Sequence, residues 1–307
     1  MPRRVCVIGN TNLDLVMGLL PVWPEAGTET FLDRADFRAG GSAANTALVL
    51  RSLGCESGLI SALGSDRLGD ILRAGFTGEL DRIARLPGQT GLSVGVLHPG
   101  AERSFLSVNG HLGVMDLGMI LSALEDWPLD GALVLVSGAF AMPRLLSDQT
   151  ALIDHLRLAG ARVAIDPGWP GDGWTPEVRR QVEGWTERVD HLLMNDKEIL
   201  GLTGAAGLTE ALDFLASRAA DTTCLVAKIG RDGAVLRQGH SVNRAVAPVI
   251  EVFDTVGAGD AFNAGYLDAI ATGATPAAAL QAGVDVASRV ISRFPRGNGA
   301  VTKSAVF

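Results

Sequence analysis

The residues best suited to chemistry lie in one stretch, residues 252–265, which reads VFDTVGAGDAFNAG. The pattern predicts a strand end, a glycine turn and a helix start, with Asp260 in the first helical turn. Gly257 and Gly259 allow backbone conformations in which N–H groups converge on one anion, and the helix dipole adds positive charge there. Asp260, with a reference pKa of about 4, is ionised at neutral pH and can accept a hydroxyl proton. The stretch therefore predicts a phosphate cradle with a base beside it.

A purely structural role for the same residues stays open at this point. An Asp near a helix N-terminus also stabilises the helix dipole, by a few tenths to about 1 kcal/mol. Two other phosphate-binding motifs, G-x-x-x-x-G-K-[ST] and G-x-G-x-x-G, do not occur, and Phe262 stands where the last glycine of a dinucleotide fingerprint would fall. Walker-type and nicotinamide-dependent functions are therefore disfavoured.

The stretch resembles the C-terminal signature of the ribokinase-like sugar kinases, the phosphofructokinase B family, whose pattern is close to D-T-x-G-A-G-D-x-F. The resemblance implies that Asp260 is the catalytic base. It implies an anion hole for the transferred phosphoryl group formed by Gly257, Ala258 and Gly259. The first residues of the signature, Asp254 and Thr255, are assigned to cofactor binding.

A second motif lies near the start of the chain, where residues 40–47 read GGSAANTA. Without a resemblance, this is a tight turn into a well-packed helix. The residues are similar to the family's G-G-x-x-x-N-x-A motif. That likeness implies that Gly40 and Gly41 allow close approach of the sugar, and that the Asn45 side chain, both donor and acceptor, binds a hydroxyl.

Two polar residues follow the first predicted strand, the apolar run at residues 5–9. Alternation along an extended segment puts Asn12 and Asp14 on the same side, able to hold adjacent hydroxyls. Taken alone, Asn and Asp after a strand usually mark a turn. The resemblance implies that they bind substrate.

Residues 195–198 read NDKE and precede a predicted helix. One interpretation is a capping box, with Asn195 as the N-cap and Glu198 at the third helical position. The stretch also matches the family's N-x-x-E motif. This implies that Asn195 contributes to the nucleotide site and that Glu198 arranges Mg²⁺ and its waters around the phosphates of ATP. Both interpretations can hold together.

The segment at residues 228–234, KIGRDGA, follows a strand-like run at 224–227. From the residues alone it is a hairpin turn between two strands. The resemblance implies that Lys228, Gly230 and Gly233 lie beside the phosphates and ribose of ATP. It further implies that a helix at 276–293 flanks the adenine, and that residues 297–300, GNGA, belong to a loop for a monovalent cation such as K⁺.

The composition is that of a large water-soluble enzyme. The 307 residues, 47% of them hydrophobic, are enough for one large core, and the resemblance extends over essentially the whole chain, so we expect a single domain over 1–307. The net charge of −8 argues against binding to nucleic acid. Three scattered cysteines, no convincing leader and no apolar run of about 20 residues predict a cytoplasmic protein that does not bind membranes.

Apolar runs alternate with helical patterns along the middle of the chain. Strands are predicted at 132–136, 163–165 and 192–194, and helices at 145–158 and 177–185. This alternation is typical of an α/β fold with a doubly wound, mostly parallel sheet flanked by helices. The chemistry then belongs at the carboxyl edge of the strands. Asp14, Asn195, Gly230 and Asp260 all follow predicted strands.

Two segments interrupt that alternation. Residues 29–38 and 91–108 have strand patterns, with a hairpin turn at Pro99-Gly100. Alone, they are an ordinary edge hairpin. The resemblance implies a small β lid at about residues 15–38 and 90–109, which excludes water from bound sugar and pairs between subunits of a homodimer.

The function that the resemblance implies is ATP-dependent, in-line phosphorylation of a sugar hydroxyl. A nucleoside kinase on the same fold is one alternative, and a non-catalytic sugar-binding relative is another, disfavoured because Asp260 and the glycine turn are intact. Residues 166–170 read DPGWP where relatives commonly have D-x-N-x-R. This departure bears on the choice of acceptor, which the sequence does not name.

Overall fold

A computed structural model of the protein describes residues 3–101 and 103–293. The strands are β1 (Val5–Gly9), β2 (Asn12–Gly18), β3 (Arg34–Gly40), β4 (Ser57–Gly64), β5 (Arg82–Leu86), β6 (Leu92–Leu97), β7 (Arg103–Val108), β8 (Leu133–Ser137), β9 (Arg162–Asp166), β10 (His191–Asn195), β11 (Cys224–Lys228), β12 (Ala234–Gln238) and β13 (Ser241–Ala245). The helices are α1 (Ser42–Ser52), α2 (Arg67–Arg73), α3 (Leu117–Leu124), α4 (Pro143–Ser147), α5 (Gln149–Leu158), α6 (Pro176–Thr186), α7 (Asp196–Thr203), α8 (Leu208–Ala216), α9 (Ala258–Ala271) and α10 (Pro276–Ile291).

The larger of two sheets has nine strands in the order β13-β12-β11-β10-β9-β8-β1-β4-β5. The seven strands from β11 to β5 are parallel, and β12 and β13 add an antiparallel edge. Strand β1 lies between β4 and β8, so the chain leaves it first toward one edge and later toward the other. Such a reversal opens a crevice at the carboxyl ends of the strands.

Helices cover both faces of this sheet. Alternate residues of β1 point to opposite faces: Val5 and Val7 pack with α1, α9 and α10, whereas Cys6 and Ile8 pack with helices α3 to α8. Burial on both faces explains why the parallel strands are continuous apolar runs. The predicted α/β fold with a mostly parallel sheet is confirmed.

The smaller sheet has four strands in the order β3-β2-β6-β7. The register aligns Arg38 with Asp14, Asp14 with Ser93 and Ser93 with Ser107, which places a polar row on one face. The opposite face carries the next row, Phe37, Leu15, Val94 and Leu106. This sheet is therefore polar toward the large sheet's carboxyl edge and apolar on its outer side.

Several predicted boundaries are wrong. The strand expected from residue 29 begins at Arg34, because its partner β2 ends at Gly18, which pairs with Arg34. The helix expected at 145–158 is two helices, since Asp148 leaves helical geometry at φ −104° and ψ 9°. No strand precedes the glycine signature: residues 246–257 lie outside regular elements, and α9 begins at Ala258. The strands expected at 132–136, 163–165 and 192–194 are confirmed as β8, β9 and β10.

Within 3–101 and 103–293, no single helix is long and apolar enough to span a membrane. Helices α7 and α8 meet the requirement only together, as a pair bent by 63°. Their apolar side chains, including Ile199, Leu202 and Leu215, are buried in the core beneath the large sheet.

Candidate active site

Asp260 lies in the first turn of α9, directly after the glycine turn. Gly257 has φ 75° and ψ 9°, a left-handed conformation that favours glycine, and α9 begins at the next residue. The amide Nδ2 of Asn45 donates to Asp260 Oδ2 at 2.9 Å, and the Thr46 hydroxyl donates to the Asp260 carbonyl at 3.3 Å. Packing of α1 on α9 thus unites the two motifs, although 215 residues separate Asn45 from Asp260.

The predicted cradle is the N-terminal turn of α9. The first N–H groups of a helix have no acceptor within the helix, and the dipole makes that end positive. The Ala258 N–H turns back to the Thr255 carbonyl at 3.2 Å, and the Val256 N–H donates to Asp254 Oδ1 at 2.8 Å. Gly259, without a side chain, keeps the turn open over the Lys228 ammonium. Because the Ala258 N–H bonds within the chain, the support for an anion here comes from the helix dipole and from the neighbouring Lys228 ammonium.

The pKa of Asp260 is raised to about 7. Burial is the largest cause; the hydrogen bond from Asn45 lowers the pKa, Asp166 raises it and Lys228 lowers it. A carboxylate with a pKa near 7 is a stronger base than an exposed aspartate, and about half of it is ionised at neutral pH.

The predicted substrate residues Asn12 and Asp14 point to the same side of β2. Asn12 Nδ2 donates to Asp14 Oδ1 at 2.7 Å and lies 3.3 Å from the Ser93 hydroxyl on the neighbouring strand. Both lie inside β2 and not in a turn after β1. Burial raises the pKa of Asp14 to about 6, against the opposing charge of Arg38. Asn12 and Asp14 thus form a buried polar pair suited to hydrogen bonding with hydroxyls. Ser93, which contacts Asn12, was not predicted as a site residue from the sequence.

Close contacts explain why Gly40 and Gly41 carry no side chain. A Cβ on Gly40 would lie 2.0 Å from Asp14 Oδ1. Gly41 has φ 90°, and a Cβ there would lie 2.5 Å from the Asn10 carbonyl oxygen. A larger residue at position 40 would displace the Asp14 carboxylate, and one at position 41 would displace the backbone just after β1.

The capping box predicted at the start of α7 is present. The Asn195 N–H donates to Glu198 Oε2 and the Glu198 N–H donates to Asn195 Oδ1, both at 2.8 Å. Burial and the neighbouring charge of Asp166 raise the pKa of Glu198 to about 7, while Lys228 lowers it.

These residues also fit a magnesium ion. Two carboxylates repel each other here, that of Asp166 at the end of β9 and that of Glu198 in the first turn of α7, and a cation would relieve that repulsion. No three His, Cys, Asp or Glu side chains converge within the described ranges. Mg²⁺ retains several waters and needs only one or two protein carboxylates beside phosphate oxygens.

Two residues with no assigned role lie at the centre of the site. Asp166 Oδ2 accepts from Lys228 Nζ at 2.8 Å and from Asn263 Nδ2 at 2.6 Å, and Lys228 Nζ is 3.3 Å from Asn263 Oδ1. Asp166 is the last residue of β9 and Asn263 lies in the second turn of α9. The position of Asp166 after a predicted strand was the available sequence signal.

Asp254 and Thr255 face the small sheet. Asp254 Oδ2 accepts from Arg38 Nη2 at 3.0 Å, with Arg34 Nη2 at 3.7 Å. The Thr255 hydroxyl accepts a hydrogen bond from Arg103 of β7. These side chains therefore connect strands β3 and β7 to the segment that leads into α9, and their assignment to cofactor binding remains a prediction.

The loop after β11 joins two antiparallel strands, as the hairpin interpretation predicts. Gly230 and Gly233 have φ 59° and 96°, and a Cβ on Gly233 would lie 2.0 Å from the Ala245 carbonyl oxygen. Gly230 and Gly233 follow Lys228, the last residue of β11. The predicted cation loop, residues 297–300, lies outside the described residues.

Comparison with known proteins identifies the family. Residues 2–302 match the pfkB family of carbohydrate kinases, and the chain belongs to that family. It is therefore an ATP-dependent carbohydrate kinase, as the signature motifs predicted.

Individual relatives agree with this assignment. A 1-phosphofructokinase of Rhodobacter capsulatus is 31% identical over 287 residues, which cover 89% of this chain and 85% of the relative. A fructokinase of Klebsiella pneumoniae is 29% identical over 252 residues, 77% of this chain and 78% of that one. The structure of a Vibrio cholerae O395 fructokinase, with fructose, ADP and calcium ion bound, superimposes with a TM-score of 0.81 at 20% identity, covering 99% and 97% of the two chains.

Proposed function

We propose that the protein transfers the γ-phosphoryl group of ATP to a hydroxyl of a sugar, in line, with Asp260 as the base. The main support is the position of Asp260 at the start of α9, where it contacts Asn45 on one side and lies near Lys228 on the other. The hydroxyl-binding pair, Asn12 and Asp14, completes the acceptor side. A base between a hydroxyl site and an anion cradle is the arrangement that phosphoryl transfer requires.

On the acceptor side, Asn12 and Asp14 hold sugar hydroxyls beside the paired glycines. Asn45 donates to one oxygen of Asp260 and so directs the other oxygen toward the reacting hydroxyl. Asp260 removes the proton as the new oxygen–phosphorus bond forms. The raised pKa of Asp260 makes this transfer favourable near neutral pH.

On the nucleotide side, the backbone of residues 257–259 stabilises negative charge on the moving phosphoryl group. ATP is placed against the loop that contains Lys228, Gly230 and Gly233, and near Asn195. Mg²⁺, when bound near Glu198, neutralises charge on the phosphates. Binding of K⁺ by the loop predicted at residues 297–300 is part of the same proposal.

The small sheet is proposed to act as a lid that excludes water, so that the sugar and not solvent accepts the phosphoryl group. Its apolar outer face is proposed to pair with a second copy in a homodimer. Phe37 on this face is 71% exposed and Leu106 is 61% exposed. We place the enzyme in the cytoplasm, since its three cysteines are few and widely spaced along the chain.

The test is ADP release from ATP and Mg²⁺ in the presence of candidate acceptors. The panel contains ribose, fructose, fructose 1-phosphate, 2-keto-3-deoxygluconate, other hexoses and several nucleosides, each with and without K⁺. ADP release that depends on a sugar supports the proposal and identifies the acceptor class. Release with nucleosides alone would replace it with a nucleoside kinase, and ATP binding without turnover on any acceptor would contradict it.

A further inference from the structure

Asp166, Lys228 and Asn263 form a closed hydrogen-bonded ring beneath the cradle. Each member bonds to the other two, at 2.8 Å, 2.6 Å and 3.3 Å. The ring joins the carboxyl ends of β9 and β11 to the second turn of α9. The Asn263 side chain is fully buried, and Asp166 and Lys228 are nearly so. A buried polar cluster of this kind is stable only when its members are mutually satisfied.

The ammonium of Lys228 lies directly under the glycine turn. A Cβ on Gly259 would be 3.5 Å from Lys228 Nζ, an ordinary contact distance, so the ammonium lies beside the glycine turn. An ammonium has three N–H donors, and the ring uses two of them. Burial lowers the pKa of Lys228, but the carboxylates of Asp166, Glu198 and Asp260 raise it above its ordinary value and so keep the ammonium charged.

We propose that Lys228 contacts the phosphoryl group while it crosses the cradle, and that Asp166 and Asn263 are positioning residues that hold the ammonium there. In this step the bond between the γ-phosphorus and its bridging oxygen breaks, the bond to the acceptor oxygen forms and the hydroxyl proton goes to Asp260. Lys228 transfers no proton and supplies positive charge. The inference rests on the proposed function and assigns roles to two residues that the sequence left unassigned.

The ring also explains why a lysine is placed so deep in the site. Charge on a transferring phosphoryl group spreads over its three outer oxygens, and a preorganised cation there acts in a low-dielectric environment. Asp166 offsets the cost of burying the ammonium, and Asn263 restricts its direction. A residue that only anchored α9 to the sheet would not need to leave its charge next to Gly259.

The first experiment measures binding only and needs no acceptor. Affinities for ADP and for β,γ-imido-ATP are compared in the wild type, in Lys228→Met and in the double variant Asp166→Asn/Lys228→Met. We expect both variants to lose about tenfold or more in affinity for the imido analogue and to keep ADP affinity within about twofold, because only the analogue places a third phosphate at the cradle. Equal losses for both nucleotides would overturn the proposal, as would no loss for either.

The double variant shows whether a loss of affinity comes from the missing ammonium or from misfolding. Lys228→Met leaves Asp166 buried without its counter-charge and lowers the melting temperature, whereas the double variant removes both charges and should melt higher than the single one. Arg180→Met, at an exposed position on α6, is the control for loss of a basic side chain and should bind both nucleotides like the wild type.

The second experiment is a double-mutant cycle that measures kcat with the acceptor found in the ADP-release panel. Lys228→Met should lower kcat by about 10²- to 10³-fold, and Asp166→Asn by less. If Asp166 acts through Lys228, adding Asp166→Asn to Lys228→Met should lower kcat no further. Additive losses would show that Asp166 acts independently and would overturn its positioning role. A wild type that is silent with every acceptor refutes the proposed function, while the binding experiment still decides the role of Lys228.

Discussion

The environment of Asp260 shows how a raised carboxylate pKa carries a cost in stability. Burial and the charge of Asp166 oppose its ionisation, and the bond from Asn45 and the charge of Lys228 favour it. The net result is a pKa of about 7, well above that of an exposed aspartate. The same environment that makes Asp260 a good base therefore destabilises the folded protein wherever Asp260 is ionised.

Replacement of the base is the simplest test. Asp260→Asn should still bind ATP and sugar but lose about 10²- to 10⁴-fold in kcat, because an amide cannot accept the hydroxyl proton. Steady-state kinetics with separate nucleotide binding would measure this. Asp172→Asn, at an exposed turn, is the control. Retention of more than about a tenth of wild-type turnover would remove Asp260 from the base role.

The pH dependence follows from the same pKa. Since only ionised Asp260 accepts a proton, kcat/KM should rise with pH through about 7 and then level off. Between about pH 4 and pH 7 the folded state binds this proton more tightly than the unfolded state, so its contribution to stability falls as pH rises. The melting temperature of Asp260→Asn should exceed that of the wild type by an amount that grows over this range. A rate profile with its acid limb near pH 4 would contradict the raised pKa.

At the scale of elements, helix termini and strand ends do most of the positioning. The N-terminus of α9 provides the cradle, the capping box at α7 orients Glu198, and the adjacent strands β2 and β3 place Asp14 against Gly40. In each case backbone geometry determines where a functional side chain can lie. Small changes at these junctions should therefore affect function more than stability.

Gly40→Ala tests the junction of β2 and β3. The added Cβ would lie 2.0 Å from Asp14 Oδ1, so Asp14 must move. We expect the KM for the acceptor to rise about tenfold or more, with nucleotide affinity unchanged. Gly184→Ala is the control, because its Cβ would meet no atom within 4 Å. An unchanged acceptor KM would show that Asp14 does not bind the sugar.

Glu198→Gln separates the cap of α7 from metal binding. Glutamine can still accept from the Asn195 N–H, so the capping box and the helix should persist. The lost charge should raise the Mg²⁺ concentration needed for half-maximal activity. Magnesium titrations of the variant, beside the exposed Glu177→Gln, would measure the change. Identical titrations would count against Glu198 as the metal-associated carboxylate.

At the scale of the whole molecule, each of the two sheets forms a different part of the candidate site. The large sheet brings the ends of β1, β9, β10 and β11 to one edge, and the small sheet covers that edge with its polar face. Arg38 and Arg103 link the small sheet to residues 254–255, which lead into the cradle. Side-chain contacts therefore connect strands β3 and β7 of the small sheet to the segment that leads into α9.

The outer face of the small sheet predicts an oligomer. Phe37, Leu15, Val94 and Leu106 form one row across four strands, and an exposed apolar row of this kind indicates an interface. We expect the wild type to sediment as a dimer and Phe37→Asp/Leu106→Asp as a monomer. Leu158→Asp, at another exposed leucine on α5, should leave the dimer intact. A wild type that is monomeric at micromolar concentration would refute this interface.

The sequence alone was sufficient for features that depend on neighbouring residues. The glycine turn with Asp260, the capping box of Asn195 and Glu198, and the strands β8 to β10 were all predicted from local pattern. Local backbone chemistry and apolar periodicity determine such features, and they persist whatever the rest of the chain does. The family assignment rested on the same local motifs.

Tertiary structure decided the contacts between distant residues. Asn45 and Asp260 are 215 positions apart, Arg38 and Asp254 are 216 apart, and Asp166 is 97 positions from Asn263. Strand order and helix packing set these distances, and neither can be calculated from the pattern of any single segment. The sequence therefore determined which groups were available for phosphoryl transfer. Only the fold determined that Asn45 would contact Asp260 and that Asp166 and Asn263 would bond to Lys228 beneath the glycine turn.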